Sequence, residues 1–71
     1  MKEIKASMAG SIWQILVRVG DSIESGQEVV VLESMKMEIP ISSETAGTVK
    51  EVRLAEGDFV NDGDVILVIE S

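Results

Sequence analysis

The sequence predicts an all-β sandwich or barrel made of two equivalent halves. Three observations carry that expectation. The 71-residue chain aligns with itself at a shift of 37 positions, without gaps, so that residues 1–34 match residues 38–71. Its main apolar runs, residues 29–32 and 65–69, are rich in β-branched side chains and too short for helices. Glycine turns recur at short spacing in both copies, as in all-β folds.

The elements follow in chain order. Gly10 and Gly47 precede a first strand in each copy, whose apolar positions are Ile12, Ile15 and Val17 in one and Val49, Val52 and Leu54 in the other. The spacing of three, then two, breaks strict alternation at the same place twice, which predicts a shared bend or bulge. Trp13 aligns with Lys50, so it either lies on the outer face or caps the edge of the core. Gly20-Asp21 and Gly57-Asp58 mark the next turn, and Gly26 and Gly63 a further one. These glycines are expected where the chain needs positive φ. Runs 29–32 and 65–69 then suit strands covered on both faces. Met37, Ile39 and Ile41 alternate with Glu38, Pro40 and Ser42, the pattern of one more strand. Pro40 belongs at a sheet edge or strand end. No window shows helical periodicity.

Two copies are too few for a solenoid, so they are expected to interlock about a pseudo-two-fold axis within a single domain, residues 1–71. Only Met35, Lys36 and Met37 have no partner in the repeat. They should form a tight hairpin tip. Because Ser34 and Ser71 are equivalent, an axis lying across the long dimension would put Lys36 at one end of the domain and both termini at the other. A surface lysine beside gap-filling methionines is the ordinary meaning of such a segment. Two features argue for more. Two of only four methionines flank this one lysine, at the single non-repeated point of the chain. Exposed methionines also offer partners an adaptable surface.

Composition excludes several functions. Six Lys and Arg stand against thirteen Asp and Glu, a net charge of −7 that would repel nucleic acid. With no Cys and no His, disulfides, thiolate nucleophiles and imidazole bases are absent, and zinc or iron would have carboxylates alone. No metal site is expected. The acidic stretch from Asp58 to Asp64 does not match a calcium loop, because Val60 and Ile69 fall where oxygen ligands are needed. So small a chain has no room for a deep cleft, and a stand-alone enzyme is not expected. The longest aliphatic run falls far short of the roughly 20 residues that span a bilayer. The N-terminal residues lack the apolar stretch of a signal peptide. A cytosolic protein without membrane or nucleic-acid partners, monomeric when isolated, is expected.

Glu33-Ser34-Met35-Lys36-Met37 resembles the biotin-attachment motif of biotin carboxyl carrier domains, whose usual form is Glu-Ala-Met-Lys-Met. With the Gly-Asp turns and the pseudo-repeat, the resemblance to the biotinyl/lipoyl carrier family covers essentially the whole chain. It is close to the small free-standing biotin/lipoyl attachment proteins. Ser34 replaces the common Ala, small for small. The gapless repeat leaves no room for the thumb loop of some acetyl-CoA carboxylase carriers, and no Ala/Pro-rich linker precedes the domain. Met1 favours a separate subunit over an excised domain.

The resemblance implies a flattened barrel of two four-stranded antiparallel sheets, with a modified lysine on an exposed hairpin. It implies that a biotin protein ligase joins biotin to the ε-amine of Lys36, taking the net charge from −7 to −8. Biotin carboxylase and carboxyltransferase would be the further partners, the first using ATP and bicarbonate, the second an acyl-CoA or keto acid. Met35 and Met37 are implied as ligase-recognition residues, with Glu33, Ser34 and Glu38 contributing less. Glu33 has a repeat mate in Glu70, which favours a structural role, whereas Met35 and Met37 have none. Lipoate on Lys36 is the nearest alternative, alone or beside biotin. Lipoyl domains more often place the lysine after Asp, so a methionine on each side favours biotin. A purely structural barrel-sandwich module is the remaining reading, and it would have no use for Met-Lys-Met.

Overall fold

The apolar runs and glycine turns resolve into eight strands in a computed structural model that describes residues 1–70. They are β1 (Lys2–Lys5), β2 (Gly10–Ile15), β3 (Ser22–Ile23), β4 (Glu28–Ser34), β5 (Met37–Ser42), β6 (Gly47–Val52), β7 (Phe59–Val60) and β8 (Val65–Glu70). The strands form two four-stranded antiparallel sheets, in the orders β1-β8-β6-β3 and β5-β4-β2-β7. The expected all-β architecture is therefore the one observed.

A shift of 37 residues carries β1, β2, β3 and β4 onto β5, β6, β7 and β8. It also carries one sheet order onto the other. Neither sheet belongs to one half. The first sheet takes β8 and β6 from the second copy and β1 and β3 from the first, and the second sheet reverses the loan. The hydrogen bonds repeat in the same way. Ile12 N–H donates to the Asp58 carbonyl at 2.8 Å, and its mate Val49 N–H donates to the Asp21 carbonyl at 2.9 Å. Lys36 and Met1 lie at corresponding ends of opposite sheets, since β4 and β5 correspond to β8 and β1. Ser71, the repeat mate of Ser34, lies outside the described residues.

The break in alternation is a bulge in each copy. The register of β2 on β4 shifts between Ile12 and Gln14, and that of β6 on β8 between Val49 and Glu51, so Trp13 and Lys50 are the extra residues. Trp13 is 44% exposed, so it lies on the outer face of its sheet. Between the sheets, Ile12, Ile23, Leu32 and Val60 pack with Val49, Leu67 and Ile69, all essentially sealed from solvent. Strand β8 is covered on both faces from Ile66 to Ile69, and β4 nearly so, with Val31 half-buried. Pro40 sits on β5, an edge strand, where its missing donor is harmless.

The Gly-Asp turns have a side-chain reason as well as a backbone one. Gly20 and Gly57 both adopt φ of 95°. The following aspartates close the turns, as Asp21 Oδ2 accepts from Arg18 N–H and Asp58 Oδ2 from Ala55 N–H, each at 2.8 Å. Asp64 Oδ2 likewise accepts from Asn61 N–H at 2.8 Å, so Asp58 and Asp64 of that stretch both serve turns.

Gly10 and Gly47 correct the expectation that these glycines supply positive φ. They are the first residues of β2 and β6, and of the six glycines only Gly20, Gly26, Gly57 and Gly63 have positive φ. Their constraint is closeness. A Cβ at Gly10 would lie 2.7 Å from the Glu33 carbonyl oxygen, and one at Gly47 would lie 2.6 Å from that of Glu70. Both neighbours are backbone and cannot swing aside. Gly10→Ala and Gly47→Ala should each cost about 1–3 kcal/mol, the usual range for overpacking, measured as a lower urea midpoint with an unchanged slope.

Candidate functional site

The three unrepeated residues end the β4–β5 hairpin. The last cross-strand pair is Ser34 with Met37, so Met37 already belongs to β5 and the loop is two residues long. Those two residues, Met35 and Lys36, have φ of 52° and 65°. Two-residue hairpin loops favour turns with positive φ at both positions, because that twist matches the flanking strands, and such turns normally take Asn and Gly. Here a methionine and a lysine occupy them, at a cost of roughly 1–2 kcal/mol per residue. Backbone strain of this kind concentrates at functional positions.

The tip stands in solvent. Met35 is 91% and Met37 62% exposed. Lys36 is exposed too, and its amine joins no ion pair among the described residues. The methionines therefore do not fill the core. An exposed primary amine, free of salt bridges and raised on a short turn, suits covalent attachment of a group that must remain mobile. Lysine's flexible stem adds reach.

Below the turn, register places Glu33 directly opposite Glu38. Like charges facing each other across strands oppose pairing, and neither carboxylate is in an ion pair among the described residues. Ser34 is half-buried, and its Cβ lies 3.3 Å from the place where a Gly10 side chain would begin. That contact is a further reason for glycine at position 10. The hairpin thus brings together all six residues singled out from the sequence: Glu33, Ser34, Met35, Lys36, Met37 and Glu38.

The sequence reading did not bring in Trp13 and Phe59 as site neighbours. Phe59 on β7 pairs with Ser11, and Ser11 pairs with Glu33 on its other side. Phe59 is 65% exposed. The signal for both residues was present in the repeat, whose equivalent positions hold the polar Lys50 and Ser22.

The chain is similar to several known proteins. A family model described as "Biotin-requiring enzyme" matches residues 2–69. The biotin/lipoyl attachment protein of Bacillus subtilis is 56% identical over 41 residues, which cover 58% of this chain and 56% of that protein. The 1.3S subunit of methylmalonyl-CoA carboxyltransferase from Propionibacterium freudenreichii is 56% identical over 36 residues, or 51% of this chain and 29% of that subunit. The crystal structure of Kluyveromyces lactis urea carboxylase superposes with a TM-score of 0.91 at 30% identity, covering 97% of this chain and 6% of that one. The match thus spans little more than half of the first of these relatives and far less of the others.

Relief of the strain in the turn is measurable. Met35→Asn, a residue that tolerates the left-handed region, should raise stability by about 0.5–1 kcal/mol in urea unfolding. An unchanged or lower midpoint would mean that Met35 bears no strain.

Proposed function

The chain belongs to the biotinyl/lipoyl carrier family, and on that footing we propose that it is the biotin carrier of a biotin-dependent carboxylase, with Lys36 as the attachment point. The single observation that carries this reading is the tip itself: an exposed lysine held in a two-residue turn between two exposed methionines.

The unprotonated ε-amine of Lys36 attacks the acyl carbon of biotinyl adenylate on a biotin protein ligase. A C–N amide bond forms, the acyl–phosphate bond breaks, AMP leaves and the amine gives up a proton. When bound, biotin supplies a site that accepts and releases a carboxyl group. The remaining work falls to this chain's residues. Met35 and Met37 give the ligase an apolar grip on either side of the reacting amine. The left-handed turn holds the Lys36 backbone in one orientation while its side chain stays free. Glu33, Ser34 and Glu38 form the base of the tip, against which Gly10 packs without a side chain. The tether replaces diffusion with a high effective concentration at both partner enzymes, a biotin carboxylase and a carboxyltransferase. The carrier itself performs no catalysis, since the chemistry belongs to the cofactor and the partners. A single domain working in the cytosol suits this role.

A second reading is favoured by one observation, the naming of the Bacillus subtilis relative for both biotin and lipoyl attachment. Lys36 would then accept lipoate as well.

Intact-mass measurement after co-expression with each ligase tests both readings. The biotin ligase should raise the mass by one biotin in the natural chain and by nothing in Lys36→Arg, which keeps charge and fold. Lipoylation without biotinylation would reverse the ranking. Met35→Ala and Met37→Ala should each slow biotin attachment about tenfold, the size expected when one recognition anchor is truncated, with unfolding unchanged for Met37→Ala.

A further inference from the structure

The pseudo-two-fold axis provides an internal comparison, because the same backbone carries two different surfaces. Among the described residues eight large apolar side chains are exposed, and Met35 and Met37 among them have no repeat mate. Each of the others has a polar one: Met1 pairs with Glu38, Met8 with Thr45, Trp13 with Lys50, Leu16 with Arg53, Val19 with Glu56 and Phe59 with Ser22. The fold therefore does not require apolar residues at these places.

Charge separates the two sheets as well. The strands of the β1-β8-β6-β3 sheet carry Lys2, Lys5 and Lys50 beside Glu3, Glu51 and Glu70. Those of the β5-β4-β2-β7 sheet carry Glu28, Glu33 and Glu38 and no cation. One equivalence joins the two observations. Lys50 Nζ lies 3.2 Å from Glu70 Oε2 on the first sheet. On the second, the mates of that pair are Trp13 and Glu33, so an exposed indole stands where the cation would be and the carboxylate has no ion-pair partner among the described residues.

We infer that the outer face of the β5-β4-β2-β7 sheet, centred on Trp13 and Phe59 and edged by Glu33 and Glu38, docks the enzyme that carboxylates the tethered biotin. This rests on the function proposed above. The partner surface would offer an apolar pocket for the two rings and a Lys or Arg for Glu33. Such a rim suits an enzyme whose substrates, ATP and bicarbonate, are anionic, since Lys and Arg line sites of that kind. A second copy docking face to face does not fit, because it would set Glu33 and Glu38 against their own like charges. The ligase has Met35 and Met37 at the tip. The face is continuous with that tip through the Phe59–Ser11–Glu33–Glu38 row.

The test uses the unmodified full chain, isotope-labelled for NMR and titrated with the purified biotin carboxylase of the same cell. Resonances of Trp13, Phe59 and Ser11 should shift. Trp13→Lys combined with Phe59→Ser, which installs the residues already tolerated at the mates, should weaken binding at least about tenfold, with the melting temperature and the rate of biotin attachment unchanged. Trp13→Ala should weaken it without adding charge, and Trp13→Phe should retain most of it. Natural affinity in the double variant, or shifts confined to the tip, would overturn the inference. An equal fall in biotin attachment would assign the face to the ligase instead. Self-association of the natural chain that the double variant abolishes would assign it to a second copy. Failure of the Lys36 reading shows separately, as an intact mass that does not rise on treatment with ligase, because the titration needs no biotin.

Discussion

Four backbone hydrogen bonds where the two halves cross govern the rest of this structure. Ile12 donates to Asp58 and accepts from Gly57 at 2.7 Å, while Val49 donates to Asp21 and accepts from Gly20 at 2.8 Å. Each set sews the turn of one half onto the first long strand of the other. Buried backbone groups must be paired, and here the partners come only from the opposite copy. The short strands β3 and β7, too brief to stand alone, are fastened by these bonds to β6 and β2. Both sheets then close over one aliphatic core.

Much of this was legible in the sequence, because a repeat constrains more than composition does. The shift of 37 residues located the glycine turns and matched every strand with its mate. The uneven spacing of Ile12, Ile15 and Val17 marks the bulge. Exchange of strands between the halves was harder to see. Periodicity reports which face of a strand is covered, not which strand lies beside it. Gly10 and Gly47 were misassigned for a similar reason. A glycine required by a neighbouring carbonyl looks the same in sequence as one required by φ, and the carbonyl belongs to a strand more than twenty residues away.

The site was legible in a different way. Met35, Lys36 and Met37 stood out as the residues the symmetry does not explain. Their arrangement as a two-residue turn, with Met37 already in the strand, depends on twist matching that a list of residues does not display. The opposition of Glu33 and Glu38 needed the register of β4 on β5. Trp13 and Phe59 could have been found by asking of each pair which member breaks the polarity of its mate, since the fold tolerates either.

Strand exchange also bears on the order of events during synthesis. The β4–β5 hairpin emerges from the ribosome early, but β7 and β8 come last. Until β8 takes its place between β1 and β6, the first sheet is incomplete and the inner face of the second is only partly covered. An isolated hairpin is marginal in water. A prematurely terminated chain would carry Lys36 without the rigid turn that presents it. The architecture thus ties the turn at Lys36 to the last strand of the domain, since the core between the sheets is not enclosed until β8 is in place.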